Sequence, residues 1–161
     1  MNIDAILEAF NRQEVDAILI GGMNFMMRHQ PVLTFDIDFW VKDTGENLAH
    51  VADALREVGA EWGSSEKTWG PLPAGYQWLL SQQIYCLTTQ HGAVDIFRSV
   101  EGLADQYEAC KARSTVQCST GGQSYWSLSE RDMLACQLAL PEGSRRLDRV
   151  AYLQKYLEEH P

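Results

Sequence analysis

The chain has 161 residues, of which 45% are hydrophobic and 22% are charged, with 12 Gly and 5 Pro. This is ordinary globular composition, and it excludes a disordered, collagenous or disulfide-rich scaffold. The 13 Lys and Arg residues against 22 Asp and Glu give a net charge of −9, which would repel a phosphate backbone, so bulk nucleic-acid binding is not expected.

The chain contains no apolar run of the roughly 20 residues that a membrane span needs. Its first ten residues carry acids where a secretory signal carries a basic flank. We therefore expect a soluble, cytoplasmic protein with no membrane contact. The cysteines have neither C-x-x-C spacing nor a nearby histidine, which favours free thiols over a zinc site. They are Cys86, Cys110, Cys118 and Cys136.

The first part of the chain predicts a helix, a strand and a second helix. Apolar residues at helical spacing behind an Asn2 cap predict a helix over residues 3–10. Residues 15–20 predict a short strand that ends at Gly21-Gly22, and residues 23–29 predict the second helix. The resulting order is strand, double glycine, helix.

A second strand is predicted over residues 34–41, with Phe35, Ile37 and Phe39 facing the core. Thr44 then predicts the cap of a third helix, which Gly59 terminates.

The middle of the chain is less regular. Residues 61–82 hold Trp62, Trp69 and Trp78 among Gly, Ser and Pro, and predict no single element. Residues 83–89 and 93–97 predict a hairpin.

The C-terminal part predicts a short helix over residues 102–111 and a second hairpin over residues 115–127, turning at Gly121-Gly122. Ser129 and Asp132 resemble a capping box and open another helix. The last helix is expected to bury an apolar stripe made of Leu147, Val150, Ala151, Leu153 and Leu157.

The sum of these elements is an α+β fold, with strands clustered between helices at each end of the chain. We expect one domain over residues 1–161, with a core over about residues 1–112 and a C-terminal hairpin and helices over about residues 113–161.

Asp36 and Asp38 are the first candidates for chemistry. They lie two apart on a predicted strand, so both carboxylates project from the same face. Such close like charges raise the pKa of one acid unless a cation lies between them. The sequence places no obvious Lys or Arg there, which points to an oxygen-liganded divalent ion, most simply Mg²⁺.

Asp95 is a third acid within an apolar strand, where an isolated charge needs a reason. If its strand neighbours the first, the three acids form the ligand set of a two-metal phosphoryl-transfer site. Alternatively, Asp95 is a surface acid on an edge strand, paired with Arg98. Gly21 and Gly22 would let a phosphate approach the backbone at the start of the following helix.

Together, Gly21-Gly22, the helical spacer, Asp36-Ile37-Asp38 with Phe39, and Val94-Asp95-Ile96 resemble the signature of the polymerase-β-like nucleotidyltransferase superfamily. The resemblance is closest to its minimal bacterial members, including those of abortive-infection and toxin–antitoxin systems. It covers about the first 100 residues directly and the C-terminal helices loosely.

The resemblance implies a nucleotidyltransferase-like mixed β-sheet flanked by helices, which binds two Mg²⁺ ions and a nucleoside triphosphate such as ATP. By resemblance, Asp36 and Asp38 would hold both ions, and Asp95 would hold the ion that activates the attacking hydroxyl. Gly21 and Gly22 would hold the triphosphate. A nucleoside monophosphate would pass to a hydroxyl on a protein, an RNA or a small molecule, with release of pyrophosphate.

One position departs from the pattern. Related toxin-like proteins usually carry a lysine in the helix after the hairpins, where this chain has Gln137. Losing that charge would weaken phosphate stabilisation unless Arg98 or Lys67 replaces it.

Two other interpretations stay open. The chain could be a catalytically silent binding module that recognises a partner protein through its aromatic loop, or a metal-dependent hydrolase that uses the same acids. His29 could also approach the phosphates from the second helix.

Overall fold

One mixed sheet of eight strands organises the computed structural model, which describes residues 1–161. The strand order is β4-β3-β5-β6-β2-β1-β8-β7. The strands are β1 (Ala17–Ile20), β2 (Asp36–Val41), β3 (Glu61–Trp62), β4 (Gly70–Pro71), β5 (Ile84–Thr89), β6 (Gly92–Phe97), β7 (Thr115–Cys118) and β8 (Ser124–Ser127). The helices are α1 (Ile3–Arg12), α2 (Gly21–Arg28), α3 (Gly45–Glu57), α4 (Tyr107–Arg113), α5 (Glu130–Ala139) and α6 (Leu147–Glu159). This architecture confirms the predicted α+β class.

The centre of the sheet joins strands from both ends of the chain. β2 runs antiparallel to β1 and parallel to β6. β5 and β6 form the first predicted hairpin, and β7 and β8 form the second. β8 pairs in parallel with β1, so the C-terminal hairpin extends the same sheet.

The two faces of the sheet are covered unequally. On one face, alternate strand residues such as Ile37, Phe39 and Leu87 pack under α1 and α3 in a cluster of 23 buried residues. On the other face, Ile18 and Trp40 belong to a smaller cluster that includes α4, α5 and α6. The helices on this face do not extend over β5, where Ile84, Cys86 and Thr88 remain exposed.

The predicted helix caps are confirmed. The side chains of Asn2, Thr44 and Ser129 each accept a hydrogen bond from a backbone N–H in the first turn of the helix that follows. These contacts satisfy amide donors that a helix start otherwise leaves free, which explains why the local sequence identifies these three helix starts.

Several predicted boundaries are wrong: β1 begins at Ala17 instead of residue 15, α2 begins at Gly21 instead of residue 23, and two further errors matter more. The helix predicted over residues 102–111 instead begins at Tyr107 and ends at Arg113. Gly102 and Asp105 have φ angles of +82° and +59°, which a right-handed helix cannot contain. The strand predicted from residue 34 begins at Asp36, so Phe35 precedes the pleat and is 75% exposed instead of facing the core.

The last helix is also less buried than its sequence predicts. Only Leu153 is fully buried, while Leu147 is 70% exposed and Ala151 is exposed. α6 packs mainly along α5, so a single narrow stripe of its surface is covered. The rest of the helix faces solvent or the cleft described below.

The irregular segment between α3 and β5 contains two short strands and two single 3-10 turns. Trp62, Trp78 and Tyr85 pack ring against ring, with centroids 5.3–5.4 Å apart. Trp69 differs, because it is 40% exposed. None of the six helices combines the length and apolarity that a bilayer crossing requires.

A buried polar contact ties α2 to the C-terminal hairpin. Asn24 is fully buried, and its Nδ2 donates to the Leu128 carbonyl at 3.2 Å while its Oδ1 accepts from the Ser127 hydroxyl at 2.6 Å. These bonds fix the helix that follows the double glycine against β8.

We expect Asn24→Ala to lower the free energy of unfolding by about 1–3 kcal/mol, because it leaves the buried Leu128 carbonyl without its donor. Urea denaturation measures this loss. Asn11→Ala is the matched control, since the Asn11 amide makes its bonds at the exposed surface and should cost less than about 1 kcal/mol. Equal losses in the two variants would contradict the structural role of Asn24.

Candidate functional site

Three carboxylates converge on the open face of the sheet. β2 and β6 are neighbours, and their register places Asp38 directly opposite Asp95. Asp36 lies two residues before Asp38, so the pleat directs it to the same face. One carboxylate oxygen from each residue lies within 4.8 Å of the other two. The adjacency that the sequence could only suppose is therefore present.

Crowding alters the ionisation of this cluster. Burial, followed by the charges of Asp36 and Asp95, raises the pKa of Asp38 to about 7. The Gly22 backbone N–H and Arg149 oppose that rise. Burial also raises the pKa of Asp95, with Asp36 adding to the effect. The metal-free site thus holds negative charge that the protein neutralises only in part.

No Lys or Arg forms an ion pair with any of the three acids. Arg98 instead binds Asp43 through two contacts of 2.8 and 2.9 Å. β6 lies between β5 and β2, so Asp95 is not on an edge strand either. The interpretation of Asp95 as a surface acid paired with Arg98 is therefore wrong.

The double glycine lies against the acids. Gly21 has φ +68°, and a Cβ built on it would lie 1.9 Å from Asp38 Oδ2. A Cβ on Gly22 would lie 2.7 Å from Thr34 Oγ1. Any side chain at Gly21 would therefore collide with Asp38, whereas the turn glycine Gly122 has nothing within 4 Å of its Cβ position. A Cβ on Gly121 would lie 2.5 Å from Asp4 Cγ, so the two double glycines differ in that only the first lies beside the three-acid cluster at the start of a helix.

α2 begins at this turn with no side-chain cap at its N-terminus. The Gly22 backbone N–H instead interacts with the Asp38 carboxylate, and the helix dipole favours an anion at this end of α2. Thr34 Oγ1 donates to Asp36 Oδ1 at 3.1 Å and holds that carboxylate beside the turn.

A cleft of about 690 Å³ opens beside Gly21, Gly22, Asp36 and Asp38. Its second wall comes from the segment before β2, from the end of α5 and from the start of α6. The residues on that wall are Gln30, Leu33, Phe35, Gln137, Arg146 and Arg149.

Arg149 is the cleft residue that the sequence analysis missed. Its Nη2 lies 3.2 Å from the Cβ position of Gly22. Arg149 lies in the first turn of α6, three residues after Arg146, which caps the helix. Its proximity to Asp38 is a tertiary contact between distant parts of the chain, which helical spacing alone does not reveal.

Two other suggested phosphate contacts are absent from the cleft. The His29 side chain is only 4% exposed and packs between Phe25 and Tyr152, with Glu130 3.5 Å from its Nε2. Lys67 lies on an exposed 3-10 turn that does not line the cleft. Gln137 does line it, but its Oε1 accepts the backbone N–H of Arg146 at 2.9 Å.

Solved structures with the same fold are nucleotidyltransferases. A Thermotoga maritima protein assigned to the nucleotidyltransferases is 18% identical, with a TM-score of 0.54 over 98% of this chain and 91% of that one. The structure of ANT(2″)-Ia in complex with adenylyl-2″-tobramycin gives 11% identity and a TM-score of 0.59 over 96% of this chain and 87% of that one. A solution structure of the antibiotic-resistance factor ANT(2″)-Ia is 13% identical, with a TM-score of 0.50 over 98% of this chain and 89% of that one.

These similarities show that the chain shares the fold of these structures. No protein-family model matches the sequence, and no curated protein does. The likeness is thus visible in the arrangement of the backbone.

We expect Gly21→Ala to destabilise the protein and to weaken divalent-ion binding, because the new methyl group displaces the Asp38 carboxylate. Gly59→Ala is the matched control, since Gly59 has φ +65° but nothing within 4 Å of its Cβ position. Gly59→Ala should lower the free energy of unfolding only by the about 1–2 kcal/mol that the left-handed backbone conformation costs an alanine. Thermal melts with and without Mg²⁺ measure both effects. If the two variants lose equal stability and keep equal Mg²⁺ responses, the proposed collision does not matter.

The raised pKa of Asp38 predicts a pH-dependent stability in the metal-free protein. The folded state holds this proton more tightly than the unfolded chain, so the free energy of unfolding falls as pH rises from about 4 towards 7. Between pH 5 and 8 we expect a loss of about 2–3 kcal/mol, which Asp38→Asn removes. Denaturant titrations in EDTA measure it. Asp53→Asn, at an exposed acid on α3, should keep the loss, and an unchanged profile in Asp38→Asn would contradict the assignment.

Proposed function

We propose that the protein is a Mg²⁺-dependent nucleotidyltransferase that moves a nucleoside monophosphate from a nucleoside triphosphate to a hydroxyl acceptor, with release of pyrophosphate. The observation that carries this proposal is the convergence of Asp36, Asp38 and Asp95 in a nucleotidyltransferase fold, where Asp36 and Asp38 line an open cleft together with the double glycine.

The three carboxylates fit a divalent ion. Their oxygens lie within 4.8 Å of one another, no cationic side chain pairs with them, and burial adds to the cost of their mutual repulsion. Hard oxygen ligands of this kind suit Mg²⁺, which keeps waters and phosphate oxygens as its other ligands. Asp36, Asp38 and Asp95 would hold two ions. When bound, these ions supply charge neutralisation at the transferred phosphate and at the attacking and leaving oxygens.

The chain's own groups then bind and orient the substrate. The absence of a side chain at Gly21 lets Asp38 lie against the turn, and the N-terminus of α2 would attract a phosphate bound in the cleft that Gly21 and Gly22 line. Thr34 fixes the Asp36 carboxylate through its hydrogen bond. Catalysis is positioning and electrostatic stabilisation, with no covalent intermediate on the protein.

The acceptor side follows from in-line geometry. Attacking and leaving oxygens lie on opposite sides of the transferred phosphorus. If the leaving pyrophosphate occupies the glycine turn beside β1, the acceptor enters over β6 and β5, on the far side of Asp95. Those strands carry no Lys or Arg, and the exposed Glu61 faces Thr88 of β5 from the next strand.

This acidic approach disfavours a polyanion such as RNA and favours a protein hydroxyl or a small hydroxyl compound. ANT(2″)-Ia, whose structure contains adenylyl-2″-tobramycin, provides a precedent on this fold for a nucleotide joined to a small molecule.

A second candidate is a catalytically silent module that binds a partner protein. Gln137 favours it, because its amide replaces a cationic side chain and is used to hold the start of α6. The exposed Trp69 would contribute to the partner surface. The intact acid cluster favours the enzyme, since a silent module gains nothing from three crowded carboxylates.

The decisive measurement is transfer of label. We expect the protein, incubated with Mg²⁺ and each of the four α-³²P-labelled nucleoside triphosphates in the presence of cell lysate, to label an acceptor and release pyrophosphate with one of them. Asp38→Asn should reduce transfer by at least 100-fold, an effect typical of a lost charged active-site group.

Asp53→Asn should leave transfer unchanged.

Calorimetric titration of the four nucleotides in Mg²⁺ separates the alternatives. Failure of all four to bind, together with nucleotide-independent capture of one protein, would support the silent module. Release of phosphate instead of pyrophosphate would support a hydrolase.

A further inference from the structure

We infer that Arg149, on the last helix, binds the β- and γ-phosphates of the nucleotide and supplies the positive charge that Gln137 does not. This inference rests on the proposed function and deepens it by assigning the polyphosphate end of the cleft to a residue outside the acid and glycine motifs.

Arg149 is a half-buried cation with no partner. Other arginines at the helix interfaces of this region have acidic partners; for example, Arg28 contacts Glu130, and Arg113 binds Asp132 at 2.8 Å, whereas Arg149 only feels the charges of Asp148, Asp38 and Asp36 without a direct ion pair. Arg149 makes no hydrogen bond and no ion pair with the protein, although burial lowers its pKa. A guanidinium that is removed from water without acceptors is unfavourable, and an anionic ligand provides the missing acceptors.

The position of Arg149 points to a phosphate that touches the glycine turn. Its Nη2 lies 3.2 Å from where a Cβ would stand on Gly22, at the first turn of α2. Its charge acts on Asp36 and Asp38 without forming a direct ion pair with either. A polyphosphate with one end at the acids and the other at the turn would lie within reach of the guanidinium, whose planar donors suit phosphate oxygens.

The fold holds Arg149 in this place through apolar packing. The guanidinium lies over the Phe25 ring at 5.7 Å, and Phe25 also meets Tyr152 of α6 edge to face at 5.3 Å. Gln137 fixes the start of the same helix by accepting the Arg146 amide. The amide at the expected lysine position therefore positions the helix that carries the cation.

Arg146 lies one turn earlier on the same side of α6 and also lines the cleft, but it is exposed. We assign Arg146 a smaller contribution to phosphate binding, because an exposed charge is screened by solvent.

The experiment compares nucleotide binding to the full-length wild type with binding to Arg149→Ala, Arg149→Lys and the control Arg131→Ala. Arg131 is an exposed arginine of α5 outside the cleft, so its removal changes the net charge equally. The probes are ATP with Mg²⁺, inorganic tripolyphosphate with Mg²⁺, and AMP, titrated by calorimetry. We expect Arg149→Ala to weaken ATP and tripolyphosphate binding roughly 10- to 100-fold, the range for hydrogen bonds to charged groups.

AMP lacks the outer phosphates, so its binding should change less than threefold in Arg149→Ala. Arg149→Lys should recover part of the loss, and Arg131→Ala should bind all probes like the wild type. The melting temperature of ligand-free Arg149→Ala should fall only slightly, because the side chain makes no hydrogen bond or ion pair with the protein and loses only its contact over the Phe25 ring.

Each contrary result has a distinct meaning. Equal binding of ATP by wild type and Arg149→Ala overturns the inference and leaves the proposed function standing. An equal loss for AMP and ATP, or a large fall in the melting temperature without ligand, also overturns it. If the wild type binds neither ATP nor tripolyphosphate, the proposed function itself fails.

Discussion

The repulsion among three half-buried carboxylates is the constraint on which the rest of the site depends. Asp36, Asp38 and Asp95 are held together by backbone pairing of β2 with β6, which side-chain repulsion is too weak to undo. The sheet therefore stores an unfavourable charge arrangement at one place and stabilises it with apolar packing on its other face. A divalent cation bound among the three carboxylates would offset this repulsion.

The double glycine belongs to the same constraint. Because Gly21 has no side chain, Asp38 can lie against the turn that begins α2, and acids and the N-terminus of a helix meet beside one cleft. The site thus places groups that attract a cation next to groups that attract an anion. A metal-bound polyphosphate satisfies both at once, whereas either ligand alone leaves one half of the site uncompensated.

The sequence predicted much of this from local rules. Caps at Asn2, Thr44 and Ser129 marked helix starts, and strand alternation placed Asp36 and Asp38 on one face. The adjacency of β6 to β2 could only be assumed, because parallel pairing depends on distant parts of the chain. Arg149 was missed for the same reason. The misplaced helix before Tyr107 shows a different limit, since the positive φ angle of Asp105 is uncommon for a residue other than glycine.

The position of β1 has a consequence for how the protein can be divided. β1 leads directly into the glycine turn, and it is flanked by acid-bearing β2 on one side and by β8 on the other. Removing the C-terminal hairpin would turn β1 into an unpaired edge strand. It would also remove the hydrogen bonds that Asn24 makes with Ser127 and Leu128. The acid and glycine motifs all lie in the first two thirds of the chain, yet a fragment limited to them would be prone to self-association through the unpaired edge of β1.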